Sequence, residues 1–373
     1  MKKLALIFIS ALLVLSLVLA GCTNAPANND EKDNVNESEN GDLVTYFENL
    51  EKKVEEYQAK EALDNEILAT VGGIPVTAAN VRYTTMVLKA PGEMSEEEAK
   101  EETEKFYKEN AALVKVAFEN GIELTEQNVN ELQANIAGMQ AQFGDEYDTI
   151  FAESPFTKFF YYFQTSAYQS LYSNIYESIL ADNENEMTKS SLEEAKSEMV
   201  RAKHILIQFP AGEGENGEMT DAQKQETLDK ANAVLAEVNA MSDISEFDAL
   251  IEKYNEDPGM TSNPDGYYFG KGEMVAPFEE SAYALKEGET SGLVETSYGY
   301  HILLKLPLED EEAIKNSNVF TNIFNEKLYE SISARTEEFT VEYAENHDAR
   351  VEEFVKEYEE LMAAENAQAE TAE

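Results

Sequence analysis

The amino-acid sequence predicts an α+β protein, built from a few short strands and several amphipathic helices. Residues 200–207 and 298–304 are apolar runs with many β-branched or aromatic residues, and each contains one of the chain's 3 histidines. Such runs are typical of short buried strands. Apolar residues recur at helical spacing over 47–57 and over 320–332, which predicts helices that bury one face. The small sheet is therefore expected between two helical parts of the chain.

The N-terminal segment has the pattern of a bacterial lipoprotein signal. Lys2 and Lys3 precede an apolar run from Leu4 to Ala20, which is short for a membrane span of about 20 residues. Leu19-Ala20-Gly21-Cys22 resembles a lipobox, which implies removal of residues 1–21 and attachment of a diacylglyceryl group to Cys22. An uncleaved anchor helix is the alternative. Residues 22–43 are rich in Asn, Glu and Asp and predict a disordered tether.

After the tether, the chain is expected to form a helix and then a small β-hairpin. The runs 67–71 and 74–76 flank Gly72-Gly73 and predict two strands joined by a tight turn. Thr77 follows as a residue suited to cap a helix. A hairpin that leads into a helix in this way resembles the start of the N-terminal domain of SurA-type chaperones.

The segment 156–176 is heavily aromatic. Tyr168, Tyr172 and Tyr176 recur every four residues, so one helical face carries a ladder of tyrosines. One interpretation is the packed interior of a helical lobe. The other is an apolar cradle for unfolded chains, since aromatic side chains give a large contact area. Both hold if one side of the ladder is exposed.

The central stretch, residues 201–306, carries five short motifs in order. They are an A-x-H-I-L-I opening at Ala202–Ile207, Asp257 before Pro258-Gly259, G-x-G-x-M-x-x-x-F at Gly270–Phe278, a turn at Leu285–Glu289, and Y-G-Y-H-I at Tyr298–Ile302. Each motif alone is weak, but their order and spacing together are specific. This stretch resembles the parvulin family of peptidyl-prolyl isomerases.

The resemblance assigns roles to particular residues. It implies that His204 and His301 lie side by side on adjacent central strands, joined by a hydrogen bond between their rings, and that Asp257 faces the reacting amide. These three are the expected catalytic residues. The expected substrate-binding residues line or border a pocket for the proline ring and are Met274, Phe278, Phe269 and Tyr298.

The chain departs from the family pattern before the G-x-G turn. Many parvulins carry Gly-Gly-Asp-Leu-Gly-Trp-Phe where this chain has residues 263–269, Asn-Pro-Asp-Gly-Tyr-Tyr-Phe. The leucine that helps to wall the proline pocket falls on Gly266 in an ungapped alignment. We expect either that Tyr267 or Tyr268 fills this space or that the pocket is looser and the activity weak.

The domain organisation follows from a further resemblance, to foldase lipoproteins of the PrsA type. It implies that the C-terminal helices return to pack on the N-terminal lobe. A parvulin-like domain at 197–308 is then an insertion between residues 44–196 and 309–365 of a helical, SurA-like chaperone lobe. Residues 366–373 are expected to be a disordered tail.

Composition limits the partners. With 75 acidic and 28 basic residues, a net charge of -47, the chain repels nucleic acid, and no such partner is expected. Cys22 is the single cysteine, which excludes an intrachain disulfide. Two histidines without a suitably spaced third ligand predict no metal site, and amide rotation needs no cofactor. The sequence leaves open whether the helical lobe forms a homodimer.

The sequence thus predicts a lipid-anchored foldase on the extracytoplasmic face of a bacterial cell membrane. It would isomerise X-Pro bonds of unfolded or partly folded secreted polypeptides and hold those polypeptides in its helical lobe. Two alternatives stay open. One is a catalytically inactive holdase with a parvulin fold, and the other is a structural surface lipoprotein with one stable partner.

Overall fold

The computed structural model describes residues 43–55, 66–89, 95–147, 166–212 and 219–371. The signal segment, Cys22 and most of the predicted tether lie outside these residues, as does the aromatic run 156–165. The chain divides into two compact units. The first contains the described residues up to Asn183 and from Asn325 onward, and the second runs from Glu184 to Phe324. No helix among the described residues combines the length and apolar character needed to cross a bilayer.

The first unit is mainly helical, with one three-stranded sheet. Its elements are α1 (Leu43–Glu55), β1 (Ile67–Val71), β2 (Ile74–Thr77), α2 (Ala78–Lys89), α3 (Glu96–Glu119), α4 (Glu126–Phe143), α5 (Tyr168–Ala181), the C-terminal part of α12 (Asn318–Ala334), β7 (Val341–Tyr343) and α13 (His347–Thr371). Short 3-10 turns follow α4 and α12.

The predicted hairpin is present in this unit. β1 and β2 pair antiparallel through a turn at Gly72 and Gly73, and both glycines have positive φ, as a type I′ turn requires. The strand order β2-β1-β7 leaves β2 at an edge, where its Pro75 removes no sheet hydrogen bond. β7 was not expected, because the C-terminal segment was predicted to be helical throughout. Its three residues pair with β1.

The C-terminal helices bury the faces that their apolar spacing indicated. In α12 the stripe Phe320, Ile323, Phe324, Leu328 and Ile332 is buried. In α13, Phe354 is buried, and Arg82 of α2 donates from Nε to Glu357 at 3.0 Å. The expectation of a disordered tail at 366–373 is wrong as far as Thr371, because α13 continues to that residue.

The tyrosine ladder lies on α5 and is half-buried at all three positions. Leu171 and Ile175 between the tyrosines form the buried face of this helix. Tyr172 donates from its hydroxyl to Asn325 Oδ1 at 3.2 Å. The ladder is therefore neither a fully packed interior nor a free aromatic surface.

The second unit is a four-stranded antiparallel sheet with helices on both faces. Its elements are α6 (Glu186–Glu198), β3 (Val200–Gln208), α7 (Asp221–Val238), α8 (Glu246–Tyr254), α9 (Gly259–Ser262), β4 (Tyr267–Phe269), α10 (Ala276–Ala284), β5 (Val294–Glu295), β6 (Gly299–Leu306), α11 (Glu311–Lys315) and the start of α12. The strand order is β4-β3-β6-β5. The predicted α+β class is confirmed.

The two faces of this sheet pack against different helices. Ile205, Ile207, Tyr300 and Ile302 face α7 and α8, where they form a cluster around Phe247. Alternate residues point the other way. The second cluster consists of Val200, Ala202, Phe269, Phe278, Ala282 and Leu303 and includes side chains from α10. His204 and His301 belong to this second face by the same alternation.

Candidate active site

Sheet register brings the two strand histidines together. β3 and β6 are the central pair, and their register places Leu206 opposite His301 and His204 opposite Leu303. The two histidines are thus diagonal neighbours on one face, a distance at which large side chains touch. Their ring centroids lie 5.1 Å apart at an interplanar angle of 65°. Both side chains are buried, with 4% and 5% of each residue exposed.

The loop after α8 carries Asp257 to the same place. β4 pairs with β3 only as far as Ala202, so the rest of that β3 edge is open to another partner. The Glu256 N–H donates to the Leu206 carbonyl at 2.9 Å, and the Leu206 N–H donates to Asn255 Oδ1 at 2.9 Å. Asn255 also donates from Nδ2 to the Asp257 carbonyl at 2.7 Å. These bonds fix the loop beside His204.

The Asp257 carboxylate is held at both oxygens. Its Oδ1 accepts the Gly259 N–H at 2.9 Å, and its Oδ2 accepts the Tyr267 hydroxyl at 3.1 Å. Oδ2 also lies 3.1 Å from His204 Nε2. The two atoms are close, but they do not form a hydrogen bond. The side chain is 23% exposed, so the carboxylate borders solvent while the imidazole behind it is dry.

An aromatic side chain from α10 closes the other side of the histidine pair. The Phe278 ring stands edge-on to His204 at 5.2 Å and to His301 at 5.4 Å between centroids. Phe269 packs on Phe278 at 5.9 Å and is only 1% exposed, so it supports Phe278 from the core rather than facing the surface. Met274 is half-buried against the same cluster. An apolar wall thus adjoins the polar groups.

Burial sets the charge state of both histidines. It lowers the pKa of His204 to about 4, with a partial opposing effect of the nearby Asp257 carboxylate. Burial, and then the proximity of His204, lowers the pKa of His301 to about 4 as well. Both imidazoles are therefore neutral near pH 7, and the site presents two neutral rings and one carboxylate.

The predicted hydrogen bond between the two imidazoles is absent from the described structure. Nδ1 of each ring has no hydrogen-bond partner among the described residues. His301 instead pairs through Nε2 with Thr296 Oγ1 at 2.9 Å, and the Thr296 hydroxyl oxygen also accepts the Tyr298 N–H at 3.1 Å. The two rings meet edge to face, with an interplanar angle of 65°.

The remaining positions fall around this centre. Tyr298 is 56% exposed at the start of β6. Gly266 has a φ of +96°, and a Cβ there would lie 3.0 Å from the Ala202 carbonyl oxygen, so a leucine at this position would be strained. No group of three or more His, Cys, Asp or Glu side chains among the described residues is arranged to hold a metal ion.

Three residues of the site were not given these roles by sequence reasoning. Asn255 lies two residues before Asp257, where an Asx side chain commonly bonds the backbone two residues on, and that spacing was a usable signal. Thr296 lies five residues before His301, on the turn that leads into β6, and the spacing alone does not single it out. Tyr267 was considered only as a group that fills space.

The site lies in a domain that known families share. Residues 185–305 match the family model of the PPIC-type PPIase domain. The chain therefore carries a parvulin-type domain.

Two relatives align with this chain over longer stretches than the domain model. It is 38% identical over 133 residues to foldase protein PrsA of Geobacillus kaustophilus, an alignment that covers 34% of this chain and just under half, 46%, of that protein. It is 25% identical over 282 residues to foldase protein PrsA of Staphylococcus aureus, which covers 70% of this chain and 83% of that protein. Beyond the isomerase-like domain, the chain is thus similar to foldase proteins of the PrsA type.

A solved structure of PrsA from Bacillus subtilis is also similar, at 20% identity over 80% of this chain and 93% of that chain. Its TM-score is 0.25, so the likeness of the whole chains carries no conclusion by itself.

Proposed function

We propose that the chain is a peptidyl-prolyl cis–trans isomerase and chaperone that assists the folding of secreted proteins outside the cytoplasmic membrane. The observation that carries the isomerase part is the meeting of His204, His301 and Asp257 beside Phe278. These groups come from three separate segments of the chain. The proposal is supported by the match of residues 185–305 to the PPIC-type PPIase domain.

The chemistry of the reaction suits such a site. Rotation about a peptide bond faces a barrier of about 18–20 kcal/mol from amide resonance, and at X-Pro both planar isomers are populated. Catalysis needs a site that binds the twisted amide better than either planar form. No nucleophile, metal or cofactor is required for this.

The residues divide this work between them. Phe278 and Met274 would hold the proline ring, with Phe269 supporting Phe278 and the exposed Tyr298 contacting the chain next to the proline. Asp257 would face the reacting amide, where fixed polar groups favour its less conjugated form. The neutral histidines form a dry floor behind the carboxylate without adding charge.

The helical parts of the chain are proposed to hold unfolded clients. In this proposal residues 197–308 are the isomerase domain, inserted between the lobe segments 44–196 and 309–365. The half-buried tyrosines of α5 support a surface that offers aromatic contact without being fully exposed. A chaperone that binds unfolded polypeptides needs such contact area at low entropic cost.

The location follows from the N-terminal signal. We propose that residues 1–21 are removed and that Cys22 carries the lipid that holds the protein on the extracytoplasmic face of the membrane, since two acyl chains anchor a protein stably. Mass spectrometry of the mature N-terminus tests this. An unmodified Cys22, or an intact residue 1, would contradict it. A Cys22→Ser variant released into the medium would support it.

A protease-coupled assay on an Ala-X-Pro-Phe peptide tests the isomerase. The full chain should accelerate isomerisation. His204→Ala or Asp257→Ala should lower kcat/KM about tenfold or more, since each removes an interaction of roughly 1.4 kcal/mol or more with the reacting region. Asp265→Ala is the control, because this aspartate is exposed. A rate no higher than background, unaffected by either variant, would rule out the isomerase.

The holdase alternative is tested with the same variants. The tyrosine ladder belongs to the first unit, so suppression of client aggregation should survive Asp257→Ala. If aggregation is suppressed while the wild-type chain shows no isomerase rate, the protein is a holdase with a parvulin fold. If neither activity is seen and one partner copurifies in fixed ratio, the structural lipoprotein is favoured.

A further inference from the structure

Tyr267 occupies a position in this site that the family pattern leaves without a side chain. In the ungapped alignment of residues 263–269 with Gly-Gly-Asp-Leu-Gly-Trp-Phe, Tyr267 falls on the last glycine. It is the first residue of β4 and pairs with Ala202 of β3. Its side chain packs on the same face of the sheet as Phe278. This chain therefore adds an aromatic ring and a hydroxyl group to the site.

The ring and the hydroxyl make separate contacts. The ring stacks on His204, with centroids 5.8 Å apart and planes inclined by 11°. The hydroxyl donates to Asp257 Oδ2 at 3.1 Å, the oxygen that also lies 3.1 Å from His204 Nε2. One side chain thus touches both the carboxylate and the imidazole beside it.

This hydrogen bond decides how firmly the carboxylate is held. The torsion that rotates an aspartate carboxylate is broad and has no sharp preferred value. In Asp257 the Gly259 N–H restrains one oxygen and the Tyr267 hydroxyl restrains the other. Without the hydroxyl, a carboxylate that is 23% exposed would be free to turn toward water and away from His204.

The backbone around Tyr267 is shaped to admit it. A Cβ on Gly259 would lie 2.0 Å from the Tyr267 hydroxyl oxygen, so only glycine allows the hydroxyl to reach this loop. Burial and the Asp257 carboxylate raise the pKa of Tyr267 to about 12, so the hydroxyl keeps its proton and remains a donor near pH 7.

We infer that Tyr267 is a positioning residue of the isomerase site: its hydroxyl orients the Asp257 carboxylate beside His204. The inference rests on the proposed isomerase function. Tyr267 acts on the reaction through Asp257, without contact to the reacting amide.

The test compares two tyrosines that are neighbours in sequence. Tyr267→Phe removes the hydroxyl and keeps the stacked ring. Tyr268→Phe removes the same atom from the next residue, whose ring lies 5.2 Å from the Arg201 guanidinium carbon. We expect Tyr267→Phe to lower kcat/KM about tenfold, the effect of losing one hydrogen bond to a charged group. Tyr267→Phe should remain folded, with a melting temperature only slightly below that of wild type, and Tyr268→Phe should match wild type in kcat/KM.

A double variant separates positioning from a general structural effect. In an Asp257→Ala background, Tyr267→Phe should cause no further loss, because the group that it positions is gone. An equal loss in both backgrounds would overturn the inference, and so would wild-type activity of Tyr267→Phe. If the Asp257→Ala rate does not exceed background, the kinetic constants decide. A fall in kcat at unchanged KM supports positioning, and a rise in KM alone overturns it.

The wild-type measurement distinguishes this inference from the function on which it rests. If the wild-type chain does not catalyse isomerisation, the proposed function fails and the inference fails with it. If the wild-type chain is active and Tyr267→Phe is equally active, only the inference fails.

Discussion

The two faces of the four-stranded sheet are built from the same strands but differ in chemistry. One face packs Ile205, Ile207 and Ile302 around Phe247, and the cluster is apolar apart from the Tyr300 hydroxyl. The other face places His204 and His301 at central positions, and both nitrogens of His204 and Nδ1 of His301 have no hydrogen-bond partner among the described residues. Burial of polar groups without full hydrogen bonding costs stability. The first face therefore stabilises the fold. The second face lowers that stability because it buries the histidines of the site.

The largest effect on stability is expected from a substitution that creates a cavity in the apolar face. Phe247→Ala should lower the free energy of unfolding by about 3–5 kcal/mol, because Phe247 is fully buried and no neighbour can fill its volume. Chemical denaturation with urea measures this. At temperatures where the variant is still folded, kcat/KM should stay within about twofold of wild type. A large loss of activity in the folded variant would show that the two faces are not separable in this way.

The histidine face should make stability depend on pH. The pKa of each histidine is lowered to about 4 in the folded protein, against about 6.5 in the unfolded chain. Between these values the unfolded chain binds more protons, so the free energy of unfolding should fall as pH drops from 6.5 toward 4. The expected slope is about 1.4 kcal/mol per pH unit for each histidine.

Denaturation midpoints between pH 7 and pH 4.5 check this prediction. His301→Gln should reduce the slope by about half, because one of the two buried imidazoles is gone. Phe247→Ala should shift the whole curve downward without changing its slope in this window. A slope that is the same in His301→Gln as in wild type would place the pH dependence elsewhere.

A larger side chain in the loop next to Tyr267 should have an intermediate effect on stability. Gly259→Ala would force a Cβ against the Tyr267 hydroxyl, and relieving the overlap should cost about 1–3 kcal/mol and displace Asp257. Thermal unfolding and kcat/KM should both fall. Gly292→Ala is the matched control, because a Cβ there meets nothing within 4 Å and its φ is not in the left-handed region. Equal behaviour of the two variants would contradict the close packing of this loop.

The smallest effect is expected at the threonine that holds His301. Thr296→Val removes the bond to His301 Nε2 and should cost about 1 kcal/mol of stability, together with a loss of activity of several fold. Thr227→Val is the counterpart on the other side of the sheet, since its buried hydroxyl donates to the Gln223 carbonyl of its own helix at 2.9 Å. It should cost similar stability and leave kcat/KM unchanged. Loss of activity in both variants would contradict the view that only the histidine face takes part in catalysis.

Much of this arrangement could be predicted from the chain alone, because it depends on short-range periodicity. The resemblance to parvulins implied that His204 and His301 lie side by side, and Gly72-Gly73 between two apolar runs is enough to predict the hairpin. β7 was missed because three residues give too little pattern to separate a strand from a helix. The hydroxyl bond of Tyr267 and the edge-on packing of the imidazoles depend on register and loop geometry, which no local pattern contains.

The pairing of β7 with β1 has a consequence for how the protein is made. The hairpin near the N-terminus receives its third strand from residues 341–343, which are synthesised long after it. The second unit lies between them in the chain, and its first and last parts lie together, since Lys196 of α6 pairs with Glu311 of α11 at 3.1 Å. Early folding of that unit would shorten the loop that must close to bring β7 to β1. The sheet of the first unit can therefore be completed only after the whole of the second unit has been synthesised.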